Sequence, residues 1–432
     1  MKKHLLPIMT AVAAGCMLLS CSSKDIEEPE ETKIVNMVAD PQPIKLTEAQ
    51  RVFVGDNNQF TLNFLKTVNA ADRSGKSFIY SPLSITYVLG MVNDAATGQT
   101  EKQLEQVLGF HEGGIQAVNE YCKNLIQNLP KVDGKVTLNI ANAIFLNKKY
   151  QLKEQFQKDM KEYYDAQAEA LDFSSPKTLG KINGWCSDKT NKMIPTILDE
   201  VNPNMMSYLL NAIYFKADWT SKFDPKNTKK ETFSTPKGKK ELPMMQQNVR
   251  INYLKNDTYA AVSIPYGNGM WSMVVMLPNE GKTTDDVINL LAQRGLYSKT
   301  YSGGEGEMFT PYDVDLKLPR YETSSDTNEM KEGLIGLLQQ MGINLAFDPN
   351  CGEISNMCAV PVYIAMMRQK AKIKVNEEGS EAAAVTVAGM LETSAMPREN
   401  PKATFYANRP FVYAIREASS GVILFVGKYT GE

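Results

Sequence analysis

Histidine, the residue that nucleophilic and acid–base sites use most often, is scarce in this sequence. Only two histidines occur, and with His4 close to the N-terminus only His111 is left for a serine or cysteine triad. The sequence has no G-x-S-x-G elbow, H-E-x-x-H motif, phosphate loop or G-x-G-x-x-G fingerprint. Cys351 and Cys358 lie seven positions apart without partner histidines, which is a poor zinc pattern. A hydrolase using paired carboxylates stays open as an alternative, because any two acids can meet in a fold.

The segment at residues 374–405 has an unusual composition for the end of a chain. Its centre, residues 382–391, carries no charge and consists of small residues and β-formers between charged flanks. Alanine alone would favour a helix, but the β-branched residues at 385–387 and the following glycine work against one. Left exposed and unpaired, such a segment is an aggregation liability. Its retention indicates that the segment has a use.

Composition restricts the classes of function. The chain has 432 residues, of which 43% are hydrophobic, enough for one large domain or two ordinary ones. A formal net charge of −2 with interspersed acids and bases disfavours a nucleic-acid binder, because phosphate neutralisation needs a basic excess. Four cysteines beyond the N-terminal region are irregularly spaced, so buried free thiols are favoured over disulfides at Cys122, Cys186, Cys351 and Cys358.

The N-terminus predicts export and lipidation. A positive start precedes the apolar run LLPIMTAVAAGCMLLS, which is too short for a typical membrane span and is followed by Cys21. Apolar residues, a small residue and then cysteine resemble the lipobox of bacterial lipoproteins, where the signal is removed before the acylated cysteine. We therefore expect a signal peptide at residues 1–20 and an acidic flexible tether at 21–45. An ordinary signal peptide with an incidental cysteine is the alternative.

The acidic run after Cys21 is similar to the export signal of surface lipoproteins in Bacteroidetes. This similarity implies a lipid-anchored protein of the cell envelope, at the outer membrane, with surface exposure as an option.

The first half of the chain predicts helices. Apolar spacing indicates one helix near residues 48–72, and Ser81 followed by Pro82 is typical of a capped helix start. A further helix is expected from Thr100 to Gly109, and QLKEQFQKDMKEYYDA reads as an amphipathic helix. VTLNIANAIFLN predicts a buried strand between them.

The second half predicts mainly strands. MSYLLNAIYFKADW is nearly all apolar, as in a central strand buried on both faces, and YAAVSIPY and WSMVVMLPN flank a GNG hairpin signal. VDLKLPRY and VYIAMMRQKAKIKV alternate as strands do, NEMKEGLIGLLQQMGI predicts a helix, and PFVYAIREASSGVILFVGKY predicts two strands joined by a turn. This mixture indicates a single α+β domain without internal repeats.

The order of these segments resembles the serpin family from about residue 46 to residue 432. Each matching motif is weak alone, but their order and spacing together are specific. The segments that carry the resemblance are SPLSI, AATGQTEKQL, ANAIFLN, INGWCSDKTNKMI, LLNAIYFKADWTSKF, SIPYGNGMWSMVVMLP, LPRYE, VNEEGSEAAAVT and RPFVYAIREASSGVILFVGK. The resemblance implies a serpin domain at 46–432 with three β-sheets, eight or nine helices and an exposed reactive-centre loop.

In inhibitory serpins a target protease attacks this loop, the acyl-enzyme forms, and the cut loop inserts as a strand into the main sheet. The residues here permit that step. Gly379 has no Cβ to restrict φ and so permits the sharp turn where the loop leaves the strand, and no proline interrupts residues 379–396. A buried unpaired charge would oppose insertion, and the inward-facing set has none. That set is Ser380, Ala382, Ala384, Thr386, Ala388 and Met390, and the whole expected hinge is Glu377, Glu378, Gly379, Ser380, Glu381, Ala382, Ala383 and Ala384.

Two counts of the reactive bond disagree. The family's cleaved residue usually lies fourteen positions after the hinge glycine, which implies Thr393 followed by Ser394. Counting back from Asn408 implies a bond near Arg398 and Glu399 instead. The hinge count is preferred, because the length ahead of the bond sets how far the protease moves. Alternatives for the cleaved residue are Glu392, Met390, Leu391 and Met396.

The family also carries a polar network beneath the main sheet. Ser84 and Asn211 match two of its members, and Gln369 stands where histidine is usual. Glutamine donates and accepts hydrogen bonds but does not titrate near neutral pH, so we expect a network without histidine-dependent gating. Trp219 matches the aromatic residue where insertion begins.

The sequence thus predicts a non-enzymatic suicide inhibitor of a serine protease that is elastase-like or has a small pocket or broad specificity. A cysteine protease is an alternative target, and a non-inhibitory serpin-fold binding protein on the cell surface is the alternative function. A lipid anchor in a membrane is the second expected partner. No nucleic acid, cofactor or metal is expected, and the protein is expected to be a monomer.

Overall fold

Helices dominate the first part of the described chain. The computed structural model describes residues 41–72, 74–111, 113–296, 308–380 and 401–432. Eight α-helices occur in these ranges: α1 (Glu48–Ala71), α2 (Pro82–Ala95), α3 (Gly98–Leu108), α4 (Gly114–Asn128), α5 (Glu154–Tyr164), α6 (Lys177–Lys189), α7 (Thr284–Arg294) and α8 (Gly333–Gln340).

Local signals fix the starts of the first two helices. The Thr47 hydroxyl accepts from the Gln50 amide, and the Gln50 side chain accepts in return from the Thr47 amide, so α1 begins with a capping box. Helix α2 begins as predicted, with Ser81 as its cap and Pro82 in its first turn.

Helix α3 begins earlier than predicted. Its cap is Thr97, not Thr100, because the Thr97 amide and hydroxyl are held by the Glu353 carbonyl oxygen, a partner far along the chain. Its end at Gly109 is confirmed, with a left-handed φ of 82°.

Fifteen strands lie in the described residues. They are β1 (Phe78–Tyr80), β2 (Thr137–Asn147), β3 (Gln167–Leu171), β4 (Ser207–Asp218), β5 (Lys229–Thr235), β6 (Gly238–Lys255), β7 (Tyr259–Tyr266), β8 (Trp271–Pro278), β9 (Thr310–Pro319), β10 (Tyr321–Asp326), β11 (Lys370–Val375), β12 (Gly379–Ser380), β13 (Lys402–Tyr406), β14 (Phe411–Glu417) and β15 (Ile423–Tyr429).

These strands form a six-stranded sheet and a nine-stranded sheet. The first, called the main sheet here, has the order β10-β11-β12-β4-β2-β3. The second follows β1-β15-β14-β8-β7-β6-β9-β13, with β5 paired to β6. Strand β6 is 18 residues long and pairs with β5, β9 and, near its end, β7. The expected third sheet is therefore a strand group continuous with the second sheet through β6, and the α+β class is confirmed.

Strand β4 is buried on both faces, as predicted. Tyr208 and Leu210 pack in a cluster that includes Trp185 of α6, while Ile213 and Phe215 on the opposite face join the main core. This places α6 against one face of the main sheet.

Two element predictions are too long. The alternating segment 362–375 is a strand only over Lys370–Val375, and the predicted helix near 328–343 is confined to Gly333–Gln340. Before β11 the chain lies against the core without pairing with a neighbouring strand, and this packing accounts for the alternation of apolar and polar residues. The Ile364 backbone amide donates to the Ala346 carbonyl, which is not part of a strand. No described helix has the length and apolar composition needed to cross a membrane.

Candidate functional site

A tight reversal connects β11 to β12 at one end of the main sheet. The Asn376 amide donates to the Gly379 carbonyl over 3.0 Å. The Asn376 side-chain oxygen accepts from the Glu378 amide at 3.0 Å and the Gly379 amide at 3.2 Å. A single asparagine side chain therefore satisfies the backbone of the turn, a common use of this residue type.

Gly379 is needed because of a close backbone approach. It lies opposite Asp218 in the ladder with β4, with a φ of +157°. A Cβ on Gly379 would lie 2.1 Å from the Ala217 carbonyl oxygen and 2.6 Å from the Asp218 Cα. Sequence reasoning assigned this glycine to the sharp turn, but the turn is made by Asn376 and the glycine fits the chain against β4.

Ser380 occupies a strand position between β11 and β4. It pairs with Val375 on one side and Ala217 on the other. Neighbouring strands lie roughly 4.8 Å apart, so β11 and β4 are about 10 Å apart at this level. Within the described residues no register joins β11 to β4 directly. The main sheet thus already accommodates the first two residues of an added strand.

The Ser380 side chain points into the interior. Its hydroxyl lies 2.7 Å from the Tyr266 hydroxyl, and the residue is buried. Burial raises the pKa of Tyr266 and the hydrogen bond to Ser380 opposes this only in part, so the phenol stays protonated. Ser380 has the inward orientation that the sequence assigns to the first member of the inserting set.

Trp219 closes this end of the sheet. Its ring stacks on Tyr266 with centroids 4.3 Å apart and an interplanar angle of 9°. Its indole Nε1 donates to the Asn376 carbonyl over 2.9 Å, and its amide donates to the Glu378 carbonyl over 2.8 Å. The residue predicted to mark the start of insertion thus holds the turn and supports the tyrosine under Ser380.

Glu377 is anchored by two side chains that lie outside the strands, one just before β10 and one just before β5. Its carboxylate accepts two hydrogen bonds from the Arg320 guanidinium and one of 2.6 Å from the Thr228 hydroxyl. Burial alone would raise the pKa of Glu377, but the bonds from Arg320 and Thr228 outweigh it and hold the pKa below its ordinary value. The carboxylate is therefore ionised at neutral pH and restrains the turn.

Glu378 makes a second ion pair at the turn. The Lys222 ammonium lies 2.6 Å from the Glu378 carboxylate and 2.9 Å from that of Asp218. Burial would lower the pKa of Lys222, but its bonds to Glu378 and Asp218 raise it above the ordinary value. The start of the hinge is thus fixed by charge, hydrogen bonding and steric fit together.

The predicted polar network beneath the main sheet is present in part. The Ser84 hydroxyl donates to the Asn211 side-chain oxygen, and Asn211 donates to Asn142 over 2.8 Å. Asn142 in turn donates to the Tyr164 carbonyl over 2.6 Å. Sequence reasoning missed Asn142, although its place in β2 directly opposite Asn211 of β4 follows once the register is known.

Gln369 does not join Ser84 and Asn211 through its side chain. Its oxygen accepts from the Ser81 amide at 3.0 Å, and its nitrogen donates to the Ser81 carbonyl at 2.7 Å. The amide group matches a backbone pair at the start of α2, as a glutamine can do in a fixed orientation. The three predicted members therefore form two separate sets, which adjoin because the Ser84 backbone amide donates to the Ser81 hydroxyl at 3.4 Å.

The remaining predicted site residues lie outside the described residues. These are Cys21, the hinge members Glu381, Ala382, Ala383 and Ala384, the bond at Thr393 and Ser394, and the alternatives Met390, Leu391, Glu392, Met396, Arg398 and Glu399. Of the cysteines, Cys122, Cys186 and Cys358 are buried free thiols and Cys351 is a partly exposed one. His111 lies in the chain that follows α3, after the Gly109 cap. In the ranges that the structure describes, no group of three His, Cys, Asp or Glu residues is arranged to hold a metal ion.

Comparison with known proteins decides the family. The family model described as serpin (serine protease inhibitor) matches residues 55–431. The chain belongs to the serpin family. It is 30% identical to serpin B6 of Macaca fascicularis, covering 87% of this chain and 98% of that protein. It is also 30% identical to the leukocyte elastase inhibitor of Xenopus tropicalis, covering 86% of this chain and 97% of the relative.

A solved structure supports the same assignment. The native state of tengpin, a thermophilic serpin, superposes with a TM-score of 0.74 at 26% identity, covering 91% of this chain and 97% of tengpin. In this serpin the packed domain includes residues ahead of the predicted boundary at 46, because Ile44 is buried and its amide donates to the Ser419 hydroxyl over 3.0 Å.

Proposed function

We propose that this serpin is a suicide inhibitor of a serine protease. The observation that carries the proposal is the strand position held by Gly379 and Ser380 between β11 and β4. A cut loop would continue from Ser380 into the main sheet without first separating the strands at that level. The proposal agrees with the family description and with an inhibitor of leukocyte elastase among the relatives.

The covalent step is acyl transfer. The protease serine Oγ attacks the carbonyl carbon of the reactive bond, the bond to the next residue breaks, and the new amine leaves with a proton from the catalytic histidine. The ester between Oγ and the loop remains. Insertion of the loop then moves the acyl-enzyme away from the attachment end and distorts it before water can cleave the ester.

The sequence count assigns Thr393 as the acylated residue and Ser394 as the new N-terminus. A threonine in this position suits elastase-like or other small-pocket proteases, whereas Glu392 would suit a glutamate-specific one. The proposal takes Thr393 as the acylated residue and keeps Glu392 as the alternative.

We further propose attachment to a membrane through Cys21 after removal of residues 1–20. The lipobox resemblance supports this proposal, because acylation of the cysteine converts a soluble chain into an anchored one. In cells expressing the full chain, Cys21→Ala is expected to move the protein from the membrane fraction to the soluble fraction. An unchanged distribution would contradict lipidation at this residue.

The inhibitory function is tested by incubating the protein with elastase, chymotrypsin and trypsin in separate reactions and separating the products on a denaturing gel. A band at the summed mass of inhibitor and protease is expected for at least one enzyme. Heat-denatured protein serves as the control, because a substrate without a fold is cut but traps nothing. Cleavage without any complex across the three enzymes would favour a non-inhibitory binding protein.

A further inference from the structure

The segment between α6 and β4, residues 190–206, starts on the β4 side of the main sheet. The Asn139 side chain of β2 donates to the Lys189 carbonyl at 3.5 Å. The Asn191 side chain donates to the Tyr214 hydroxyl of β4 at 3.3 Å. We call residues 190–199 the crossing segment, because its far end contacts a different strand.

That far end is fixed to the start of β11 by Arg368. The guanidinium donates to the Ile197 carbonyl at 3.2 Å and to the Asp199 carboxylate at 2.7 Å. The same group donates to both carboxylate oxygens of Asp326 at the end of β10. One side chain therefore joins the crossing segment to two strands of the main sheet.

The ion pair between Arg368 and Asp326 is buried, whereas the ion pair between Arg368 and Asp199 is partly exposed. The Arg368 side chain is only 7% exposed and that of Asp326 13%, while Asp199 is 70% exposed. Burial would raise the pKa of Asp326, but the bonds from Arg368 and from the Asn328 amide hold it below its ordinary value. Bidentate, charge-assisted bonds of this kind fix geometry as well as adding stability.

The other polar contacts of the crossing segment differ in kind. Lys370 donates to the Thr196 hydroxyl at 3.3 Å, a long bond from an ammonium to an uncharged acceptor. Asn183 of α6 accepts from the Ile197 and Leu198 amides at 2.8 and 2.9 Å. Loss of the Arg368 contacts would therefore leave the segment folded on α6, with the long bond from Lys370 to Thr196 as its remaining hydrogen bond to β11.

The crossing segment lies over the line that an added strand follows. Strands β4 and β11 are the two neighbours of β12, and the segment contacts β4 through Tyr214 and the start of β11 through Arg368. A chain entering behind Ser380 has to pass between these strands and beneath the segment. We propose that Arg368 is a positioning residue that clamps the crossing segment over the main sheet and sets the rate at which a strand enters it.

The inference rests on the proposed loop insertion, so its test uses strand entry without a protease. A synthetic peptide with the sequence of residues 380–393 is incubated with the folded protein, and the fraction that has gained thermal stability is measured over time. Asp199→Asn removes the charge on the crossing segment while Arg368 and Asp326 stay paired. We expect strand entry to be faster by roughly two- to fivefold, in line with a partly exposed ion pair.

Matched variants separate the clamp from general stability. Glu322→Gln removes a β10–β11 ion pair with Lys372 that does not contact the crossing segment, and it should leave the entry rate unchanged. Arg368→Gln should give the larger acceleration, about tenfold, with faster amide exchange in residues 190–199, and Arg368→Lys should lie between it and the parent.

Equal entry rates for the parent, Asp199→Asn and Arg368→Gln would overturn the clamp, as would equal acceleration by Glu322→Gln. Strand entry in every variant combined with no protease complex would contradict the inhibitory function and leave the clamp standing. Absence of entry in all variants would overturn the clamp as well.

Discussion

The backbone at Gly379 lies so close to Ala217 that a Cβ on Gly379 would be 2.1 Å from the Ala217 carbonyl oxygen. This relationship ties the hinge residue to the strand beside which the loop would insert. The start of the hinge is therefore held by close backbone packing against β4, in addition to the ion pairs of Glu377 and Glu378.

Gly379→Ala is therefore expected to displace the hinge from β4. The predicted loss is on the order of 1–3 kcal/mol in free energy of unfolding, with a lower yield of protease complex. Denaturant unfolding and the gel assay measure the two effects. Gly184→Ala in α6 is the control, since a Cβ there meets no atom within 4 Å and should be neutral or slightly stabilising. Equal stability of the two variants would contradict the close approach.

The Arg320–Glu377 pair predicts a pH dependence at low pH. The folded pKa of Glu377 is below that of the unfolded chain, so its stabilising contribution is present above about pH 4.5 and is lost as pH falls further. Glu377→Gln should remove that contribution, on the order of 1–2 kcal/mol at pH 7, and should flatten stability in the acid range. Glu378→Gln is the comparison variant, because Lys222, the partner of Glu378, retains its ion pair with Asp218. Identical acid unfolding of the parent and Glu377→Gln would contradict this role.

Asp94 predicts a pH dependence of opposite sign. Burial raises its pKa to about 6 from an ordinary 3.8, although the Asn119 amide donates to it and lowers the value in part. Its favourable contribution is therefore present below pH 3.8 and is lost as pH rises through 6. Asp94→Asn should raise stability at pH 7 by roughly 1–2 kcal/mol after allowance for partial exposure.

Thermal unfolding at pH 4 to 8 measures the effect at Asp94. Asp165→Asn is the control, because Asp165 is exposed and pairs with Lys161 at the surface. A stability difference between Asp94→Asn and the parent that does not change with pH would show that Asp94 does not titrate in this range.

The inward face of the loop is tested by two arginine substitutions. Ala384→Arg places a charge in the set that insertion would bury, so the protein should be cleaved as a substrate with little complex formed. Ala383→Arg puts the same charge one position earlier, on the opposite face of the strand, and should retain most of the complex. Equal complex yields for the two variants would contradict the assigned register.

Features that depend on neighbouring residues were predicted well from the sequence. The Ser81–Pro82 start of α2, the doubly buried β4 and the hairpin of β7 and β8 all follow from local residue types and alternation. The family resemblance added the contact between Ser84 and Asn211, which no local pattern indicates.

Features that depend on side chains meeting backbone from distant segments were not predictable. Gln369 binds the Ser81 backbone, Thr97 binds the Glu353 carbonyl, and Arg368 joins Asp199 to Asp326. Such contacts leave no periodicity in the sequence, because any polar residue of suitable length could make them once the strands are in place.

The most direct test of suicide inhibition is the intact mass of the products formed with pancreatic elastase. Acylation at Thr393 predicts a species equal to the protease plus the chain ending at residue 393, less one water, together with a peptide of residues 394–432. A mass that places the ester at another loop residue would move the reactive bond and keep the mechanism. Unmodified protease beside two hydrolysed fragments of the inhibitor would contradict the inhibitory function.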